Sequence, residues 1–400
     1  MASVYNASRT VQRNHTLNAL SFFLQIAAAM GHTPFPAMAN TGSAEAVPGR
    51  YWMALVLTVL FGSIVAFGMR AQDNGNAVTG ACHVSPIVSD LDRSARFYHD
   101  LIGLDLVPAP DPPGPLQPPQ QVGPLPWDTD PGHLDLHGLP KARLRFIGAR
   151  MPGVRCGVEL VEFADAGQRP VHRRLQDPGA TMLILLVRNI DAIFSRLQTA
   201  GVTVLTRGGT VMPVGPAKTR AVIVSDPDGH FIELAQLEPI PPTAAAAQSN
   251  VLGIRLRVTV PDIEEAASYY RQTLGLDLKT GDFTKDGSVM AMMGLPAAAE
   301  FRVATSELPG SPLLLEFIEF KGIDDVKTLG SSVQDPGSYR LQLNVRNIDD
   351  AVAALKKAGS NVISSGGVPV QMTFGTSPWR LAVVPDPNNL FLVLQQRIDR

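Results

Sequence analysis

Few side chains in this sequence can do chemistry, and their spacing narrows what that chemistry is. Glu159 and Glu162 both lie in "VELVEF". Three apart on a strand, they must face opposite sides, so only one can enter a site. His83 sits in the strand-like "CHVSPIV" and Glu233 in "HFIEL". Imidazoles and carboxylates serve proton transfer or divalent-cation binding. Arg255, Arg257 and Thr259 alternate along one strand-like run, and Arg340, Gln342 and Asn344 along another, so each presents a polar face. The comparable run of Met182, Ile184 and Leu186 presents an apolar face. Arginines on a strand face bind an anion or pair with a carboxylate. His133, His137 and His172 fall in loop-like sequence, and His230, just after the turn "DPDG", reads as exposed. Cys82 and Cys156 are the only cysteines, which excludes a zinc-finger quartet and a disulfide scaffold.

The elements that must position these residues are written twice. "LLVRNIDAI" (Leu185–Ile193) returns as "LNVRNIDDA" (Leu343–Ala351), and "QDPG" occurs at Gln176–Gly179 and Gln334–Gly337. "SDPDGHFIELAQ" is echoed by "PDPNNLFLVLQQ". A period near 160 residues suits a duplicated domain rather than a solenoid. Each half opens with an alternating strand, a helix begun at an aspartate and a glycine stop, as in "HVSPIVSDLDRSARFYHDLIGLDLV" and "RLRVTVPDIEEAASYYRQTLGLDLK". Four strand–helix–strand units are expected, at roughly 81–165, 180–237, 251–321 and 338–397. The proline- and alanine-rich segment 239–250 links domain 81–238 to domain 251–397, and the proline cluster Pro108–Pro119 must be a loop. A hydrophobic share of 45%, a charged share of 18% and a net charge of −2 describe a packed globular protein with no bias towards nucleic acid.

The repeated unit, with "SDLDRSARFYHDLIGLDL" and "SDPDGHFIEL", resembles the vicinal oxygen chelate superfamily. That superfamily holds glyoxalase I, extradiol dioxygenases, methylmalonyl-CoA epimerases, and fosfomycin- and bleomycin-resistance proteins. The resemblance implies an α+β fold of tandem vicinal-oxygen-chelate domains, each of two βαβββ units forming a cup-shaped mixed sheet. It also implies that the first and last strands of each half-cup carry the ligands of a divalent metal. Carried over, the first domain offers His83, Glu159, Met182 and Glu233. His83, Glu159 and Glu233 would hold Zn, Ni, Fe, Mn or Co, and Glu159 or Glu233 would act as the catalytic base. Met182 departs from the pattern, because a thioether is a poor partner for such ions, and an iron-dependent extradiol dioxygenase becomes the third choice. The second domain offers Arg255, Glu316, Arg340 and Val393, which cannot chelate a cation. They form either an anion site or an arginine–glutamate pair filling the former metal space.

Two functions follow from the resemblance. One is a metal-dependent lyase or isomerase acting on a small oxygenated substrate. The alternative is a metal-free small-molecule-binding protein of the bleomycin-resistance type. Members of the superfamily also exchange half-cups. The short connection 164–179 favours the unswapped pairing, in which units one and two close the first cup; exchange would set His83 and Glu159 against Arg340 and Val393, and Glu233 beside Glu316.

The N-terminal region reads separately. "WMALVLTVLFGSIVAFGM" is uncharged and is followed abruptly by polar "AQDNGN". Residues 51–71 are therefore expected to be an export signal or a membrane anchor, with a buried helix as the remaining option and residues 1–50 unassigned. In an exported protein Cys82 and Cys156 become disulfide candidates, with an ideal register that leaves them about two residues out of step.

Overall fold

The computed structural model describes residues 78–398, except 109–115, 117–118 and 120–124. The expected signal or anchor, residues 1–50 and most of the proline cluster lie outside the described residues. Among the described residues no helix is long and apolar enough to cross a membrane.

Four units follow one another. The first has β1 (Val78–Val88), α1 (Leu91–Arg96, continued by a π-helical segment Phe97–Ile102), β2 (Asp105–Val107), α2 (Pro131–Leu136), β3 (Arg143–Arg150) and β4 (Gly157–Ala164). The second has β5 (Thr181–Val187), α3 (Ile190–Thr199), β6 (Met212–Val214), β7 (Thr219–Ser225) and β8 (Phe231–Gln236). The third has β9 (Val251–Thr259), α4 (Ile263–Leu274), β10 (Lys279–Thr280), α5 (Gly287–Met292), β11 (Glu300–Glu307) and β12 (Leu314–Lys321). The fourth has β13 (Tyr339–Val345), α6 (Ile348–Lys357), β14 (Val370–Phe374), β15 (Ser377–Pro385) and β16 (Phe391–Arg397).

The helix starts explain why the repeated motifs are repeated. Asp90, Asn189, Asp262 and Asn347 cap α1, α3, α4 and α6 through their side chains. The first backbone N–H of each helix then donates to a side chain on its own sheet: Leu91 to Glu162 (2.8 Å), Ile190 to Gln236 (2.9 Å), Ile263 to Glu319 (3.0 Å) and Ile348 to Gln396 (3.0 Å). Orphan N–H groups at four helix ends are thereby satisfied where water is excluded. Glu162 thus faces the helices and leaves Glu159 for the opposite face.

Strand pairing overturns the unswapped expectation. One eight-stranded sheet runs β14-β15-β16-β13-β1-β4-β3-β2, joining units one and four; the other runs β10-β11-β12-β9-β5-β8-β7-β6, joining units two and three. Segments 81–238 and 251–397 therefore do not each close a cup. The physical reason lies at the "QDPG" turns. Gly179 and Gly337 have φ of 80° and 94°, and a Cβ on them would come within 2.4 Å of the Asn388 carbonyl oxygen and 2.1 Å of the Val171 one. Only glycine lets residue 337 pass so close to the connection between units one and two, and residue 179 so close to the β15–β16 turn. Asp177 ties the two connections between units together by accepting from the Arg174 and Lys327 amides (both 2.9 Å), and Asp335 by accepting from those of Ser332 (2.7 Å) and Arg169 (2.8 Å).

The helix-facing sides of both sheets share one core, with Val84, Leu160, Leu183, Leu256, Phe317 and Leu392 among its fully buried members. In β1 and β4, His83 lies opposite Gly157, which brings position 82 level with Cys156 and removes the expected two-residue offset. Cys156 is disulfide-bonded; the side chain of Cys82 lies outside the described residues.

Because each sheet takes two units from different halves, cutting the chain within residues 243–248 should leave the halves associated. A nicked protein that elutes at the intact size on gel filtration is the expected result; separation into two folded half-length species would refute the exchanged pairing.

Candidate functional site

Alternation along the strands delivers the expected inward faces, but the exchange regroups them. Glu159, Arg340 and Val393 line the cup of units one and four, here the 1–4 cup, on the sheet that also carries His83; Glu233, Met182, Arg255 and Glu316 share the 2–3 cup. The expected metal set of His83, Glu159 and Glu233 is therefore divided between two sheets. Among the described residues no group of three or more His, Cys, Asp or Glu is arranged to hold a metal ion.

In the 1–4 cup, Ser85 reaches across the parallel β1–β4 neighbours, and Glu159 is the hub. Its Oε2 accepts from Gln342 Nε2 (2.6 Å), Arg340 Nη2 (2.9 Å) and Ser85 Oγ (3.1 Å). Arg340 Nη1 donates to His137 Nε2. His137 can accept there because its Nδ1–H is used on the His133 carbonyl oxygen (2.8 Å). Burial and then the Arg340 charge push the His137 pKa down to about 3, so it is neutral near pH 7. His133 and His137 lie on α2 and at its C-terminal cap, not in a loop as expected, and α2 packs over β14 of unit four. A six-residue helix within proline-rich sequence is too short to show periodicity. The cleft beneath it has an empty volume of about 500 Å³, counted to its open mouth.

In the 2–3 cup, Glu316 is buried between two arginines. It accepts from Arg255 Nη1 (3.0 Å), Arg257 Nε (2.9 Å) and Arg257 Nη2 (2.8 Å), while Arg257 Nη1 reaches Glu233 at 3.0 Å. Burial alone would raise the Glu316 pKa, but Arg257 and Arg255 outweigh it and hold the carboxyl below its usual range. Burial raises that of Glu233, which Arg257 only partly offsets. Met182 does not stand beside His83; it lies opposite Arg257 on β9 and lines a small gap with Thr259, Met293 and Phe320.

A divalent cation does not suit either set. In each cup a fixed guanidinium already contacts the glutamate that a metal would use, and a second positive charge there would be repelled.

Outside the cups, His230 is buried, not exposed, with its Nδ1 2.9 Å from Asp226 Oδ2 and its ring edge-on to Tyr339. Tyr98 donates to the same oxygen at 3.1 Å. The aspartate four residues upstream was the available signal. In the other half Leu390 replaces the histidine, and burial pushes the pKa of Asp386, which accepts from Tyr270 (2.9 Å), up to about 6.

Two measurements check this arrangement. Met182→His should gain no zinc affinity over the native protein by isothermal titration, since the new imidazole would meet Arg257; clearly tighter zinc binding would return Glu233 and His83 to one cup. Glu316→Gln should lower the unfolding free energy by roughly 3–5 kcal/mol, the loss expected when one partner of a buried ion pair is removed. Denaturant titration showing only the ~0–1 kcal/mol of an exposed pair would contradict the burial.

Comparison with known proteins agrees with this geometry at the level of fold. A family model described as Glyoxalase/Bleomycin resistance protein/Dioxygenase superfamily matches residues 81–234. No curated protein matches the chain. A point mutant of glyoxalase I from Zea mays is similar in structure, with a TM-score of 0.50 and 16% identity over 84% of this chain and 96% of that one. Unmutated glyoxalase I from Zea mays gives a TM-score of 0.49 and 16% identity over 80% and 93%. An antibiotic-binding protein from Streptomyces gives a TM-score of 0.25 and 25% identity over 40% of this chain and 98% of its own. The family model thus places residues 81–234 in the Glyoxalase/Bleomycin resistance protein/Dioxygenase superfamily, and the second half repeats the same strand and helix order.

Proposed function

We propose that the protein is a metal-independent small-molecule-binding member of its superfamily, and that the 2–3 cup takes an amphipathic anion. One observation carries this reading: the two arginines of the cup are unequally used. Arg257 spends Nε, Nη1 and Nη2 on Glu316 and Glu233. Among the described residues Arg255 spends only Nη1, on Glu316, and its side chain remains 33% exposed. A guanidinium has five N–H donors, so most of those of Arg255 are left for a ligand oxygen. The cleft that Arg255 lines continues over Val289, Met292, Met293, Phe301 and Val303. Methionines accommodate apolar bodies of varied shape. A carboxylate or sulfonate on an apolar group fits both ends, with the acid at Arg255 and the body on the methionine floor.

A second reading, proton transfer within this cup, is favoured by Glu233. It is buried, lines the same cleft, and burial raises its pKa, the direction that suits a general acid. The lyase or isomerase expectation survives only in this metal-free form.

The fluorescence of anilinonaphthalene sulfonate, and its displacement by decanoate, tests the binding reading. The native protein should bind one dye molecule saturably, with decanoate but not decanol displacing it. Arg255→Gln should weaken binding about tenfold or more, as expected for a charge-assisted hydrogen bond of about 1.5–3 kcal/mol. Equal affinity in the native protein and Arg255→Gln would sink the proposal.

A further inference from the structure

The 1–4 cup offers the opposite chemistry to the 2–3 cup. Glu159 uses Oε2 for all three of its donors, Gln342, Arg340 and Ser85, and leaves Oε1 without a protein partner among the described residues. Arg340, in contrast, is buried, and both of its terminal nitrogens are engaged, by Glu159 and His137. The cleft therefore presents an acceptor oxygen whose charge is already balanced.

A second acceptor faces the same space. His133, on α2, lines the cleft together with Glu159. Its Nδ1 is 2.5 Å from Asp128 Oδ2, and its side chain keeps 19% exposure. The carboxylate accepts a hydrogen bond from Nδ1–H, which favours the tautomer whose Nε2 carries a lone pair. Among the described residues Nε2 has no protein partner. Phe146 meets the ring edge-on at 5.4 Å and Phe374 lies nearly parallel at 6.0 Å, fixing its plane. Leu144, Leu381 and Val393 complete apolar walls.

We propose that the 1–4 cup is a second ligand site, one that takes an aromatic or apolar molecule through its hydroxyl group. His133 is the residue that accepts the hydroxyl proton, and Asp128 positions it. The step balances without any other reactant: the O–H bond breaks, an Nε2–H bond forms, and the electron pair stays on the ligand oxygen. Asp128 beside the imidazole compensates the imidazolium so formed. A phenol matches these features better than an aliphatic alcohol, because its oxygen ionises more readily and its ring suits Phe146 and Phe374. The site is independent of the anion site, since the two lie on different sheets.

Para-nitrophenol is a suitable probe because its phenolate absorbs where the phenol does not. Titrated into the full protein, it should bind saturably and show more phenolate than free dye at the same pH. Para-nitroanisole, which lacks the hydroxyl, should not compete. His133→Gln should lose the extra phenolate and weaken binding about tenfold or more. Asp128→Asn should shift the pH at which phenolate appears, whereas a purely structural role would leave that pH unchanged. The other charged or titratable groups facing the site are Glu159 on β4, His137 at the end of α2 and Arg340 on β13, and all three are unaltered in these variants. Arg255→Gln should bind the probe like the native protein, which separates this site from the 2–3 cup. Unsaturable binding of para-nitrophenol, phenol and benzyl alcohol alike, or an unchanged phenolate signal in His133→Gln, would overturn the proposal.

Discussion

Close passage of two backbone segments, at Gly179 and Gly337, decides everything that follows in this structure. The connections leaving units one and three must cross between the sheets, and each crossing brings a carbonyl oxygen to where a Cβ would otherwise stand. Asp177 and Asp335, both almost wholly buried, then satisfy amides of the segment from the opposite half as well as of their own. An unsatisfied amide here would cost as much as a lost hydrogen bond, so the crossing is stable only with both aspartates in place. With the crossing fixed, β1 must pair with β13, and β5 with β9.

That pairing sets the chemistry of the cups. Arg340 comes to Glu159, and Arg257 to Glu233, only because units from different halves share a sheet. Each cup ends with a glutamate neutralised by at least one guanidinium, a composition that needs no added cation for electrostatic balance. The two cups nevertheless differ in what they leave over. One retains unused arginine donors; the other retains an unused carboxylate oxygen and an oriented imidazole. Duplication supplied two similar frames, and single substitutions, such as Arg340 where the second unit has Met182, gave them opposite polarity at the mouth.

Much of this was legible in the sequence at the level of single strands. Alternation correctly turned Arg255, Arg257, Glu316 and Arg340 into the cups and separated Glu159 from Glu162, because a strand's two faces are set by its own residues. The superfamily and the α+β plan were legible for the same reason, being repeats of local motifs. Partner choice was not. All four opening strands carry an apolar face towards the helices, so any of them satisfies the hydrophobic pattern of any other. The deciding residues were two glycines whose role depends on a carbonyl from a distant segment. The His133–Asp128 pair was hidden for another reason: His133 lies on a helix of under two turns, below the length at which period can be seen, and Asp128 lies just before it. His230 was hidden because a turn sequence reads as exposed wherever another unit does not cover it.

The pairing of β1 with β13 also bears on how the protein is made. Val84 meets Leu341 only after units two and three have been synthesised between them. Entropy alone does not forbid so distant a closure, since its cost grows only with the logarithm of loop length. Rate is the greater burden, because a topology rich in remote contacts folds slowly. During synthesis the side of β1 that will take β13 stays an open sheet edge, able to accept a strand from any neighbour. The sheet of units two and three has no such delay, for β5 and β9 are joined by a connection that emerges early. The sheet of units two and three can therefore form first and hold the first unit in waiting until β13 and β16 join it.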